Sequence, residues 1–320
     1  MKSMLMAICL FLSAALHAQP ALQQYTALSG TLRIGPGAKD VLPLGERGYT
    51  LLLPEGPLLG LIVSLDDRRP DTAARALVAL RAAARPAGLG ILHLSSGIPI
   101  DLFHDDTGPR RADSLLRRLL QQYGKPGLPL FFLGVNLSGH RAMRYLRYQE
   151  RAKRPPLNVR GIVFCDGVLD WVRMWHESDK GLRDRFAESA VFEGRLVTYL
   201  LQKFLGGTPR AREDAYLELS PYSYFDPRNR HLHLLRNLAV LAYSEPATHY
   251  WMNVKGKTVF DTNFPDMVGI VSELKRTGHA DATLQLFNQP DDNTDRRNPD
   301  YTWGLVDKKV LVGWMLERCR

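Results

Sequence analysis

Cysteine is scarce in this 320-residue chain, with only Cys9, Cys165 and Cys319. Cys9 falls in an apolar leader. Cys165 ends a strand-like run, Gly161-Ile-Val-Phe-Cys-Asp166, and Cys319 is the penultimate residue. Two such thiols build neither a disulfide framework nor a thiolate metal cluster. They read as a buried small hydrophobe and a tail thiol. A dense basic block with interleaved aromatics is also missing. The net charge of +9 is scattered over pairs such as Arg110-Arg111, Arg117-Arg118, Lys153-Arg154 and Arg296-Arg297. That distribution does not point to nucleic acid; it suits solubility, or mild attraction to anionic surfaces. No apolar run reaches the ~20 residues of a membrane span. Internal repeats and low-complexity segments are absent, and nothing in the sequence implies a cofactor.

What is present is ordinary globular material, 45% hydrophobic and 23% charged, enough for one large core with a small insertion. The N-terminus is distinctive. Met1-Lys2-Ser3 is followed by an almost wholly apolar stretch from Met4 to Leu16, then Leu16-His17-Ala18 before Gln19-Pro20. This reads as a signal peptide over residues 1–18. The expected mature protein, 19–320, is exported to the periplasm or beyond, soluble and without a lipid anchor.

Short strands are expected at Thr31–Ile34 and Tyr49–Leu53. Buried strands follow at Leu58–Leu65, Gly88–Leu94 and Val159–Phe164, with helices at Thr72–Arg85, capped by Asp71, and from Asp113 to Tyr123. Strand–helix alternation over 58–165 predicts an α/β fold with a mostly parallel sheet and helices on both faces. Asp66, Ser95, Asn136 and Asp166 would then gather at the C-terminal edge of the strands. Residues 168–227 turn helical and rich in Trp and Tyr, which suggests a helical cap inserted over that edge. Strands resume at Leu238–Tyr243 and Ala282–Phe287, with helices at Asp266–Thr277 and Thr302–Arg318.

The organising stretch is Pro129-Leu-Phe-Phe-Leu-Gly-Val-Asn-Leu-Ser-Gly-His-Arg-Ala-Met-Arg-Tyr145. An apolar run passes through Gly134-Val-Asn-Leu-Ser-Gly139 straight into a helical pattern. This resembles the nucleophile elbow of α/β-hydrolases, Gly-x-Ser-x-Gly, with Asn136 at the tip in place of serine. The likeness extends over about residues 47–318. It implies nucleophile, acid and base on three successive strand-end loops. Carried over, the nucleophile position falls on Asn136. The acid falls in Tyr243-Ser-Glu-Pro-Ala247, on Ala247 or the neighbouring Glu245. The base falls on Tyr301 in Asn298-Pro-Asp-Tyr-Thr-Trp303. An asparagine amide is no useful nucleophile, and a tyrosine with pKa near ~10 is a poor base at neutral pH. The oxyanion loop carries Leu65-Asp66-Asp67, whose carboxylates would repel a developing oxyanion unless turned away.

The first functional reading is therefore an exported protein of hydrolase type without a working triad. It would bind a small molecule or peptide under the cap, or serve a protein partner. The alternative is an active esterase or peptidase using Ser138 as a displaced nucleophile, with His140 nearby in sequence; a purely structural envelope protein is the third. Other chemistry-bearing residues have plainer readings. His93 suits strand packing, and His104 with Asp101, Asp105 and Asp106 suits a solvated acidic loop. His231 and His233 alternate like surface residues. Asp291-Asp-Asn-Thr-Asp295 lacks the glycine and closing glutamate of a calcium loop. No metal site is expected.

Overall fold

The computed structural model describes residues 21–288 and 301–319. The leader (1–18), Asp291–Asp295 and the first part of the 298–303 motif lie outside the described residues.

The chain opens with β1 (Leu22–Ala27), β2 (Thr31–Arg33), β3 (Val41–Pro43), β4 (Glu46–Leu52) and β5 (Gly60–Asp66). Then come α1 (Arg75–Ala84), β6 (Leu89–Ser95), α2 (Thr107–Tyr123), β7 (Leu130–Val135), α3 (Leu137–Arg151) and β8 (Val159–Cys165). The stretch 168–227 holds α4 (Trp171–Asp184), α5 (Glu188–Leu205) and α6 (Glu213–Leu219). The remainder is β9 (Ala239–Ser244), α7 (Thr248–Lys255), α8 (Phe264–Arg276), β10 (Ala282–Leu286), α9 (Tyr301–Leu305) and α10 (Lys308–Glu317). Eight strands form one sheet in the order β1-β4-β6-β5-β7-β8-β9-β10, while β2 and β3 pair separately. From β6 through β10 every neighbouring pair is parallel; β1 and β4 run antiparallel at one edge.

The sheet is buried on both faces, so its strands divide their apolar residues by the two-residue strand period. Leu61, Val63, Phe132, Ile162, Phe164, Val240 and Ala242 pack on the side of α2, α3 and α8. Ile62, Phe131, Leu133, Val163, Leu241 and Tyr243 face α1 and α10. Each fully buried side chain of this kind contributes roughly 1.5–3 kcal/mol.

Three local expectations need correction. Asp71 does not cap α1. Its carboxylate accepts from Ala73 N–H in the turn before the helix, and α1 starts after Ala74. Asp113 does not open α2, which begins two turns earlier at Thr107. Asp113 is a buried hub instead, receiving Tyr145 Oη at 3.0 Å and Arg117 Nε at 2.8 Å. The closing helix is split at Val306-Asp307, where the Asp307 side chain caps α10 through Lys309 and Val310 N–H.

Candidate functional site

The site is built where β7, β8 and β9 end. Asn136 sits between β7 and α3 with φ 51° and ψ −124°. Such a backbone in a non-glycine residue costs about 1–3 kcal/mol and persists only where surroundings enforce it. Here they do. The Asn136 N–H donates to Cys165 O at 3.1 Å, tying the tip to the end of β8. Gly134 and Gly139 allow strand and helix to touch: a Cβ on Gly134 would lie 2.3 Å from Gly139 Cα, and one on Gly139 would lie 2.9 Å from Phe164 Cδ1. The Gly134–Gly139 spacing read in the sequence is thus a close-packed strand–turn–helix with Asn136 at its apex.

One strand over, Asp166 also has positive φ, 44°. Its N–H donates to Tyr243 O at 3.1 Å, and its O accepts from Asn263 Nδ2 at 3.0 Å. The hydroxyls of Ser244 and Thr302 donate to its two carboxylate oxygens. Burial pushes the Asp166 pKa up to about 6; the two hydroxyls pull it down and Glu245 pushes it up again. The sequence placed Asp166 at the strand edge but offered no role for it. The signal available was a carboxylate directly after a buried apolar strand; its hydroxyl partners come from two distant loops.

The acidic pair Asp66-Asp67 after β5 is turned toward Arg141. Asp67 faces Arg141 Nη2 at 3.2 Å and accepts from Ile100 N–H at 2.7 Å. Arg141, 1% exposed, also reaches Asp101 O at 2.7 Å. Burial opposes ionisation of Asp67, but Arg141 together with the hydrogen bonds from Asp66 and Ile100 N–H and the nearby Arg68 holds the carboxyl below its usual range. Burial raises Asp66, with Arg141 offsetting part of the rise.

A cavity of about 600 Å³ lies over Asn136 and Asp166. Glu245, Ala247, Ser244, Tyr301 and Thr302 line it from the sheet side; Met174, Glu177, Ala190 and Glu193 line it from α4 and α5; Trp251 and Lys255 line it from α7. The three positions carried over from the elbow comparison, Asn136, Glu245 or Ala247, and Tyr301, therefore share one cavity. Lys257 Nζ bonds Glu177 Oε1 at 2.5 Å. Burial alone would lower the Lys257 pKa, but Glu177 and Glu193 outweigh it and raise it. The wall is anchored where Arg173 grips Asp266, Nε to Oδ1 at 2.5 Å and Nη2 to Oδ2 at 2.8 Å, while Asp266 also accepts from Leu169 and Asp170 N–H. Sequence reasoning missed Glu177, Arg173 and Lys257, whose partners are remote in the chain.

Ser138 is not at the cavity. It lies in the first turn of α3, 2% exposed. His140 cannot serve it, because both ring nitrogens are engaged: Nε2 with Leu102 O at 2.7 Å, and Nδ1 accepting from Trp171 Nε1–H at 3.0 Å. Burial lowers the His140 pKa to about 3, which keeps the ring neutral. Of the other histidines, His104 stacks on Phe204 with centroids 4.0 Å apart. His231 meets Arg147 and His233 pairs with Glu150. Among the described residues, no group of three or more His, Cys, Asp and Glu is placed to hold a metal ion.

Neither a protein-family model nor a curated protein sequence matches this chain. Solved structures do. Carboxyl esterase 2 from Tuber melanosporum superposes with TM-score 0.55 at 11% identity, covering 95% of this chain and 90% of that one. An esterase from Pyrobaculum calidifontis gives TM-score 0.54 at 12% identity over 93% and 85%. The Pyrococcus horikoshii acylaminoacyl peptidase gives TM-score 0.53 at 11% identity over 93% of this chain; the chain spans only 42% of that enzyme's length. With the parallel sheet, the strained turn after β7 and the helices between β8 and β9, these likenesses establish the architecture: the chain has the α/β-hydrolase fold.

Proposed function

We propose that this is an exported protein of α/β-hydrolase fold whose cleft binds a small molecule or peptide without serine-hydrolase chemistry. The observation that carries this reading is Asn136 itself, held at the strained apex of the elbow and facing a cavity shared with Glu245 and Tyr301. The shape that presents a nucleophile is kept, and the residue on it is an amide. Groups of a triad act as a unit, so a site lacking both nucleophile and base retains little of that chemistry. A cavity of about 600 Å³ lies within the range of small-molecule sites. The rival reading, acyl transfer at Ser138, needs an exposed hydroxyl and a free base. Ser138 is buried and His140 is engaged.

The test is labelling of the purified mature protein with a serine-reactive fluorophosphonate. No labelling is expected. Labelling that disappears in Ser138→Ala would overturn the reading. Asn136→Ser alone is expected to give no turnover of p-nitrophenyl acetate above background, since no histidine stands at the base position; turnover in that variant would mean a base is present.

A further inference from the structure

β1 is the outer strand of the eight-stranded sheet. It is hydrogen-bonded to β4 on one side and, among the described residues, to no strand on the other. In an antiparallel pair alternate residues turn their N–H and C=O away from the partner, so this edge carries a row of unused donors and acceptors. Sheets blunt such edges with lysine, proline or a bulge. β1 has none of the three. Its sequence, Leu-Gln-Gln-Tyr-Thr-Ala, holds no charge and no proline, and its register runs unbroken from Leu22 opposite Leu51 to Ala27 opposite Glu46.

The strand is pinned from both faces. On the α1 side Arg69 Nη2 donates to Gln23 Oε1 at 2.7 Å, and its guanidinium lies 4.9 Å from the centre of the Tyr25 ring. Tyr25 Oη and Thr50 Oγ1 are 2.8 Å apart. On the α2 side Arg118 Nη2 reaches Gln24 Oε1 at 3.5 Å. An edge whose side chains are already fixed loses little freedom when another strand docks.

The two faces differ in charge. Arg69 is paired with Glu46 at 3.4 Å. On the α2 side Arg111 and Arg118 are both exposed, and neither has an ion-pair partner among the described residues. The one carboxylate of α2, Asp113, is held by Arg117 and Arg154. Arg47 stands opposite Thr26 of β1. Its pKa is lowered by burial first and by Arg111 second, with Asp101 acting less strongly in the other direction. Residues 1–20, which precede β1, contain no carboxylate. Residues 289–300 follow β10, at the opposite edge of the sheet.

We infer that the β1 edge receives an extended acidic segment of a partner protein as an added outer strand, with alternate carboxylates over Arg111 and Arg118. Main-chain bonds to the free edge supply affinity, and the side chains of one face supply selectivity. Each guanidinium can take a carboxylate with two parallel N–H bonds. A second copy of this chain fits the edge less well. Pairing β1 with β1 about a two-fold axis would set the arginines of each copy against those of the other, on chains that each carry +9. The inference is independent of what the cleft binds.

Fluorescence anisotropy of labelled short peptides with the mature protein tests this. The first peptide alternates Glu and Val, the second alternates Lys and Val, and the third is the Glu–Val peptide with every amide N-methylated. The Glu–Val peptide is expected to bind at least about tenfold tighter than either of the others. Arg111→Glu combined with Arg118→Glu, both exposed on α2 and so tolerated by the fold, should abolish or reverse the preference for Glu–Val over Lys–Val. Equal binding of the N-methylated peptide would mean charge attraction without strand addition and would overturn the proposal. An unchanged preference in the double variant would overturn the location. No binding by any peptide would remove β1 as a docking edge. A dimer in sedimentation velocity that the Glu–Val peptide dissolves would give the edge to a second copy and overturn the acidic partner.

Discussion

Asp166 shows at the residue scale how a buried carboxylate is kept at a cost to stability. Its carboxyl has a pKa of about 6 when folded, against 3.8 as the reference value, so folding takes up a proton between those values. Below pH 3.8 the group is neutral in both states and costs nothing; stability then falls as pH rises, and above about 6 the whole cost is present. Two pKa units correspond to about 3 kcal/mol. Asp166→Asn keeps the shape, and a rotated hydroxyl of Ser244 or Thr302 can serve the amide. The variant should therefore be more stable than the parent by up to ~3 kcal/mol at pH 8, with the gain fading near pH 4. Urea unfolding at the two pH values measures this; an equal difference at both would remove the explanation. Asn136 and Asp166 also show how far sequence reaches. The elbow was legible because its determinants, an apolar run and two glycines five residues apart, are contiguous. The neutralisation of Asp67 was not, because Arg141 lies far along the chain, on the helix after the elbow. The same holds for Asp166, whose partners Ser244 and Thr302 become neighbours only when three strand ends align.

Elements were read well where one periodicity dominated and poorly where it did not. The buried strands β5 to β9 are short apolar runs bounded by polar turns, and they stand close to where the sequence put them. β1, Leu-Gln-Gln-Tyr-Thr-Ala, exposes four of its six residues at the sheet edge, so no apolar alternation announces it. α7 follows Pro246-Ala247, with Ala247 at φ 42° and no side-chain cap, so no start signal marks it in the sequence. The attachment of α4 was invisible for a different reason: Arg173 and Glu177 look like an exposed i,i+4 pair, but both are drawn inward by Asp266 and Lys257. Arg173→Ala would leave Asp266 and Glu177 buried without their guanidinium. Removing one partner of a buried ion pair costs about 3–5 kcal/mol, and that loss should appear in the urea midpoint. A loss under about 1 kcal/mol would show that the grip contributes little. Arg173→Lys should not restore stability, since an ammonium cannot make the two-pronged contact with Asp266.

For the whole molecule, the question is whether the helices of 171–219 and the sheet behave as one body. They have a distinct apolar cluster, with Val168, Trp171, Met174, Val197, Leu201 and Tyr216. The contacts joining that cluster to the sheet region are buried and directional: Arg173 to Asp266, Trp171 Nε1 to His140, and Arg144 Nη1 to Glu218 O at 2.9 Å. Bonds of this kind couple two clusters into a single cooperative unit. Tryptophan fluorescence of a variant with Trp251, Trp303 and Trp314 replaced by Phe, which leaves only Trp171 and Trp175 on α4, should therefore lose its native signal at the same urea concentration as far-UV circular dichroism, which is weighted toward the sheet and its flanking helices. Fluorescence changing at a distinctly lower concentration would mean that α4–α6 unfold on their own.

The floor of the cleft consists of loop residues, yet backbone bonds run across it in sequence: Asn136 N–H to Cys165 O, Asp166 N–H to Tyr243 O, and Phe287 N–H to Ser244 O. These three extend the ladder of the sheet beyond the last strand residues, one rung per strand. Their amide protons should accordingly exchange with deuterated solvent only when the entire sheet opens, on the slow timescale of the strand interiors rather than the fast one of loops. A ligand that binds only the folded protein would slow them further, by the factor 1 + L/Kd (L being the free ligand concentration) by which it stabilises the whole sheet against unfolding. The floor of the cleft is therefore as rigid as the sheet that carries it, and any adjustment falls to the side chains above it.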